Sequence, residues 1–419
     1  MKRLIIGVLV FLGISAAVFG ANQGLSASDV DAAVAALKAA GQPVCAADLA
    51  SNVPDAQNAA LLYTQAAKVL SSSRSDIYKS SRLLDPGFRA KSPKMWTAAR
   101  GMVARYSGTV NLIERASSMP QCRYPMDALH RPGFIDCPGY QDARLLTSFL
   151  STAALVYARD GKTNDCVRCL TLAYKVAESL KDEPTSFGSV LRNMCHSTAA
   201  LALQGALSTG KLDYTQANKL FELLRTIDFY PGYKNALIGE RAILIESNER
   251  MRKAEAERPK QNGQAVKTPA APSQTCAIEM NEIKMMQELI DRSNVPYREI
   301  VAGKLDHAPD FPTDLPFLTP MYTAYVRDAA VRDMNAAQIS GERVLLALAA
   351  YHAKFHAYPK TLSDLKAKLH WKLPVDPFSG SDFKYRIAGK GFILYSIGAN
   401  LKDDNGVQGK QGDDIVWKL

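Results

Sequence analysis

Beyond its N-terminal segment, the 419-residue chain has no apolar run long enough to cross a bilayer, which takes roughly 17–25 residues. Membrane attachment is therefore expected only through that segment, if it is uncleaved. The sequence contains no glycine-rich phosphate loop and no Gly-x-Ser-x-Gly elbow, so the plainest signatures of nucleotide binding and serine hydrolysis are missing. No stretch interleaves aromatics with arginine in the manner of a nucleic-acid groove, so the formal net charge of +10 does not point to nucleic acid as a partner. Lys and Arg are instead scattered among Asp and Glu, which gives at most weak attraction to anionic surfaces. What the chain does have is apolar content: 47% of residues, enough for packed cores across two or three domains.

The N-terminus carries Lys2 and Arg3, then an uncharged apolar run from Leu4 to Phe19 that ends in small residues. This reads as a secretory signal peptide over residues 1–21, with an uncleaved anchor as the competing reading. Gly7, Gly13 and Gly20 favour cleavage. The expected location is outside the cytoplasm, in the periplasm or cell envelope or beyond the cell. Export permits disulfides among the seven cysteines. A Cys122–Cys137 bridge would pin the loop between them. Cys166 and Cys169 lie on a helical stretch with no preceding strand, so they read as structural rather than as a redox motif.

From residue 28 to 253 nearly every segment has apolar residues at helical spacing. Ser28 and Gly41 read as the cap and stop of the first helix, and Thr163 or Asn164 as the cap of the second arm of a helical hairpin broken at Asp160-Gly161. The hairpin has the size and small-residue pattern of a tetratricopeptide-like unit, but no fixed 34-residue period recurs. Residues 254–275, rich in Pro, Ala, Gln and Lys, read as a linker or mobile loop, and 276–318 as a helical and Pro-rich connector. From 319 a long helix runs to about His356, ended by Tyr358-Pro359. Then "FKYRI", "FILYSI" and "DIVWKL" read as three short strands. The expected fold is mainly α: an irregular α-helical array, then a long helix packed on a small three-stranded antiparallel sheet, an α+β head over 319–419.

Four parts of this last stretch, "ALAAYHAKFHAYPKTLSDL", "LPVDPFSGSDFKYR", "GFILYSIGAN" and the terminal "GDDIVW", come in an order and spacing that resemble the globular head of type II secretion major pseudopilins. The resemblance covers about the last fifth of the chain. The N-terminus departs from that family, with no glutamate in its apolar run, and the head follows some 340 residues of other material, so a pilin-like fibre subunit is not expected. The whole layout looks like secreted bacterial proteins that join a helical region to such a head. The resemblance implies a structural calcium ion in the Asp/Gly-rich loop, held by a carbonyl near Ile397 and by Asn400, Asp403, Asp404, Asp413 and Asp414. Asn400 stands where the family has an aspartate. The glycines would let the backbone turn its carbonyls inward, and calcium takes six to eight such oxygens. The plainer alternative is a surface turn that binds nothing, with Lys402 and Lys410 cancelling part of its charge.

Other candidates are weaker. His352 and His356 share a helix face and His370 could complete a metal site, but the pattern is not His-Glu-x-x-His and Lys354 lies between them. Cys195 and His196 are adjacent on a helix, where side chains point about 100° apart. Glu240, Glu246 and Glu249, alternating with Arg241 and Arg250, read as an ion-paired helix face. The expected function is an exported, non-enzymatic interaction or scaffolding protein whose partner is another envelope protein. The alternative is a secreted hydrolase with its site between helical array and head. A deep pocket with two convergent carboxylates and a desolvated His would favour the hydrolase, and a shallow concave helical surface the scaffold.

Overall fold

The structure is a computed structural model and describes residues 25–50, 53–89, 92–126, 137–257, 272–409 and 412–418. The signal-peptide segment and most of the 254–275 linker lie outside these residues. The helices are α1 (Ala27–Ala39), α2 (Ala59–Leu70), α3 (Arg74–Ser80), α4 (Pro86–Arg89), α5 (Pro93–Arg105), α6 (Ser107–Ser117), α7 (Pro138–Arg159) and α8 (Thr163–Glu178). They continue with α9 (Ser186–Leu207), α10 (Tyr214–Leu224), α11 (Tyr230–Ala256), α12 (Pro272–Asp291), α13 (Tyr297–Ala302), α14 (Leu318–Phe355) and α15 (Leu362–Leu369). One antiparallel sheet follows, in the order β1 (Lys384–Ala388), β2 (Gly391–Ser396), β3 (Ile415–Lys418). The chain is thus mainly α with a small α+β end. No helix among the described residues is long and apolar enough to cross a membrane.

Local chemistry explains most boundaries. The first helix is capped by Ser26, not Ser28: its hydroxyl and backbone close a capping box with Asp29, and Gly41 takes the left-handed turn at the other end. The α7–α8 hairpin closes as expected at Asp160-Gly161. There Lys162 N–H reaches the Tyr157 carbonyl and Gly161 N–H the Ala158 carbonyl, a Schellman pattern. Thr163 and Asn164 do not cap α8; both accept from Gln216 Nε2 and so tie α10 to the hairpin. Cys122 carries a free thiol, so the Cys122–Cys137 bridge is not made. Cys166 and Cys169 are free and buried in α8.

α7 is the centre of the array, packed by α8 and α9 and flanked by α2 and α5. α11 packs against α9 with α12 behind it as a second layer, and α1 leans on α12. The 38-residue α14 joins this array to the sheet. Its N-terminal half packs with α11, α12 and α13 through Tyr322, Tyr325, Val326 and Ala329. Its C-terminal half lies between α10 on one side and β2, β3 and α15 on the other. One apolar interior runs without a break from α2 to Trp417. Trp371, after α15, stacks on Phe221 of α10 with centroids 4.6 Å apart, and its indole N–H donates to Tyr214 at 3.2 Å.

Leu394 and Trp417 pair across β2 and β3 and are buried toward α14. The approach is close because α14 presents Gly341 there: an added Cβ would stand 2.3 Å from the Trp417 ring. Gly341→Ala should therefore destabilise the protein by about 1–3 kcal/mol through overpacking, despite the gain of up to about 1 kcal/mol that alanine brings to a helix interior. Gly101→Ala, on the exposed face of α5 with nothing near its Cβ position, should be neutral or stabilising. Urea unfolding of both variants beside the unmodified chain checks the contrast.

Candidate functional site

The Asp/Gly-rich stretch from Ile397 to Asp414 is not a tail. It leaves the end of β2, folds over the outer face of the sheet and returns as β3. Gly406 lies over Ile393 and Tyr395, and the Tyr395 hydroxyl donates to Asp403 at 3.1 Å. Four of the six residues expected to bind calcium are stitched together. Asp404 Oδ2 accepts from Asn400 Nδ2 and from the Asp413 N–H, both at 2.9 Å. Asp414 is 1% exposed and accepts from Asp404 N–H at 3.3 Å and Gly406 N–H at 2.6 Å. Burial pushes the Asp414 carboxyl up, and those two N–H groups hold it back. Asp403 turns the other way, to Lys384 at 3.3 Å and to Asn405 N–H at 3.0 Å. Ile397 sits half-buried where β2 ends.

A second anchor lies next to this loop. Asp376, in the Leu-Pro-Val-Asp-Pro turn, is 1% exposed and accepts from Phe378 N–H, Ser379 N–H and, at 2.7 Å, the Ser396 hydroxyl. Ser396 Oγ in turn accepts from Gly398 N–H at 3.3 Å. Gly398 has φ +69°, and a Cβ there would meet the Asp413 carbonyl at 2.2 Å. The turn, the strand end and the loop are thus fastened in series. The fit to calcium is partial. Asn400, Asp404, Asp413 and Asp414 are neighbours, but backbone N–H groups occupy oxygens that a cation would need. No group of three or more His, Cys, Asp or Glu side chains among the described residues is placed to hold a metal ion.

The other expected candidates resolve into structural roles. His356 and His370 are left-handed caps, ending α14 and α15, and His352 stacks on Tyr358. Cys195 is buried with its thiol pushed up to about 11 by burial. His196 turns from it to Glu178, with 2.7 Å between Nε2 and Oε1. Burial lowers the His196 pKa in spite of that carboxylate. Burial works to raise Glu178, but His196 and Arg192 outweigh it and leave it below the ordinary value. Glu246 and Glu249 are ion-paired with Arg250 and Lys253 as expected, while Arg241 is fully buried and donates to Gln42 and Gln287.

Glu240 departs from that face. Gly239 beside it allows the Pro184 carbonyl to lie where a Cβ would stand. That contact carries the start of α9 onto α11, so Glu240 Oε1 accepts from Ser186 N–H at 2.8 Å. Between α9, α11 and α14 there is a cleft of about 40 Å³, lined by Ser186, Ser189, Asn193, Phe229, Tyr233 and Asp328 among others. A water needs about 10–15 Å³ on this measure, so the space suits a few waters or a group of two or three heavy atoms. Burial, and then the charge of Glu240, pushes Asp328 up to about 7. Among the described residues no hydrogen bond or ion pair reaches Asp328. His196 is one ring removed, edge-on to Phe229 at 5.2 Å. Residue spacing could not reveal this site, because Asp328 and the Ser186 that Glu240 holds are brought to one cleft only through the helix packing.

No protein-family model, curated protein or solved structure matches the chain.

A pH signature follows from the cleft. Asp328 titrates near 4 in an unfolded chain and about 7 when folded, so folding takes up protons between those values. The stability it contributes is full below about pH 4 and is lost as pH rises through 7. Tyr233 and Tyr325 feel its charge, and Arg332 lines the same cleft. Asp328→Asn removes the term: the variant should exceed the unmodified protein in stability at pH 8 by on the order of 1–2 kcal/mol, after allowing for water in the cleft, with the gap closing toward pH 4. Denaturant unfolding at pH 4.5 and 8 measures it.

Proposed function

We propose that the protein is an exported, non-enzymatic interaction or scaffolding protein of the cell envelope, with a pseudopilin-like head stabilised by calcium. The observation that carries this reading is the unbroken interior between array and head. A head embedded in this way is a rigid display on a helical frame, and such frames suit recognition of another protein. The order of long helix, Asp-Pro turn, two strands, Asp/Gly loop and closing strand supports the pseudopilin-like part. In the calcium part, Asp404, Asp413 and Asp414, with the Asn400 amide oxygen and nearby carbonyls, would supply the hard oxygens that calcium takes. The ion would pin β3 to the loop.

Two measurements test this reading. Millimolar calcium should raise the melting temperature of the purified protein by about 2–5 °C over chelator, by mass action on the folded state, and Asp413→Ala should remove the rise. No calcium-dependent shift overturns the calcium part. Tagged full-length protein, cross-linked in its native envelope and captured, should bring down a defined envelope protein in repeat experiments. Recovery of the chain alone counts against scaffolding.

The cleft at the array–head boundary favours a second reading, a secreted hydrolase using Asp328 and Glu240 as an acid–base pair. Its volume holds water or a small group rather than a polymer, which places this reading second. Hydrolysis of a chromogenic ester, glycoside or peptide panel that vanishes in Asp328→Asn would put it first.

A further inference from the structure

α1 is 13 residues long, yet Val30 is its one buried residue. Its apolar contacts form a cluster of their own, apart from the two larger interiors. There Val30, with Leu25, Ala33 and Val34 beside it, lies on Cys276 and Met280, which stand one turn apart on α12. Cys276 is 1% exposed under this cover and Met280 8%. The polar tie is a single guanidinium. Arg252 of α11 donates to Asp31 Oδ1 at 3.1 and 3.2 Å and meets Glu279 of α12 at 2.8 Å. The two sides of this clasp differ: the Glu279 side chain is fully buried, whereas that of Asp31 is 68% exposed. Loss of Asp31 therefore breaks only a surface pair that salt screens, and Arg252 stays matched to Glu279. A helix held by one buried side chain and one exposed ion pair lies at the low end of local stability.

The chain is loose on one side of a pivot and fastened on the other. Gly41, at φ +70°, has nothing within 4 Å of the place a Cβ would take, so no packing resists rotation there. From Gln42 onward the backbone is tied to α11: Gln42 accepts from Arg241 at 2.6 Å, and Ala46 N–H donates to Glu246 at 2.8 Å. α12 does not need α1 to stay in place. Asn248 donates to Glu282 at 2.6 Å and Arg241 to Gln287, while Met285, Met286 and Leu289 sit in the interior shared with α14. We propose that α1 is a releasable strap. It swings away about Gly41 as a unit while the frame stays folded, and its release controls access to the strip of Cys276 and Met280 on α12. The strap stands on this packing alone and does not depend on the scaffolding reading or on calcium.

Cys276 reports the opening. The purified full chain is labelled at neutral pH, without denaturant, with N-ethylmaleimide, and each cysteine is followed by peptide mass spectrometry. Cys166, Cys169 and Cys195, buried in the main interior, report unfolding of the frame. Each rate is referred to that of the same cysteine in the denatured chain, which removes differences in thiol reactivity. Cys276 should then react about tenfold faster than those three, or more. Asp31→Asn should speed Cys276 roughly two- to fivefold, the worth of an exposed ion pair, and Val30→Ala about tenfold, the worth of two buried carbons. Neither should change the rates at Cys166, Cys169 and Cys195. Added salt should speed Cys276 in the unmodified chain and not in Asp31→Asn. Cys276 as well protected as the three interior thiols, acceleration of all four alike in the variants, or a fast Cys276 that neither variant changes would each overturn the proposal.

Discussion

Burial of α14 on all sides over residues 344–348 is the contact from which the rest of the architecture follows. Val344, Leu345, Leu346, Ala347 and Leu348 are consecutive and all at 0% exposure, so they face every direction around the helix. A helix apolar all round must be enclosed. Here the array encloses it from the α10 side and the sheet from the other. Neither half can let go without exposing leucines on the shared helix. That is why three short strands are stable here: their apolar face, with Leu394 and Trp417, is packed against a helix. It is also why Gly341 is glycine: with no room to move the helix away from the array, the Trp417 ring must be met by removing a side chain.

The same enclosure explains where the polar interior lies. Charged and hydroxyl groups collect along the surfaces where α14 meets the array. Tyr174 donates to Glu342 at 2.6 Å, and burial pushes that carboxyl up to about 7. Arg332 and Asp333 pair with side-chain exposures near zero. Buried pairs of this kind are weak contributors to stability, because desolvation offsets most of the attraction. Their effect is on register: a one-turn slide of α14 would take Glu342 from Tyr174 and Arg332 from the Ser293 and Val295 carbonyls, whereas leucine against leucine would tolerate it. Asp328 is the exception on this surface, since nothing in the described chain fixes its position. That difference separates it from the structural charges around it.

Helices and strands were legible in the sequence because apolar spacing and turn residues report local geometry. The α7–α8 hairpin at Asp160-Gly161, the end of α14 before Tyr358-Pro359 and the three strands all rest on such signals. Errors arose where a capping residue had competition. Ser26 displaced Ser28 because Asp29 stands three residues after it and completes a box. Thr163 and Asn164 were drawn off to Gln216, a partner 52 or more positions away. Long-range facts of this kind left no trace in spacing. Glu240 looked like one more member of a charged face until Gly239 let the Pro184 loop down onto it. The only local hint was the glycine itself, which is costly in a helix interior unless something must come close.

The Asp/Gly loop poses the hardest question of cause. Backbone N–H groups and carboxylates are a self-sufficient pairing: Asp414 satisfies Asp404 and Gly406, and Asp404 satisfies Asp413 and Asn400. Such a loop closes without an ion. A calcium ion would enter only by drawing carboxylate oxygens and carbonyls to one point and releasing some of those N–H groups to water. Releasing N–H donors would cost little in the exposed part of the loop, where water compensates them, and more at Asp414, which is buried. Binding should therefore recruit Asp404 and Asp413 first and leave Asp414 as the fixed structural member. This division separates a loop that merely tolerates calcium from one built around it: if Asp414 keeps its N–H partners with the ion present, the clasp belongs to the fold and the ion is an addition to it.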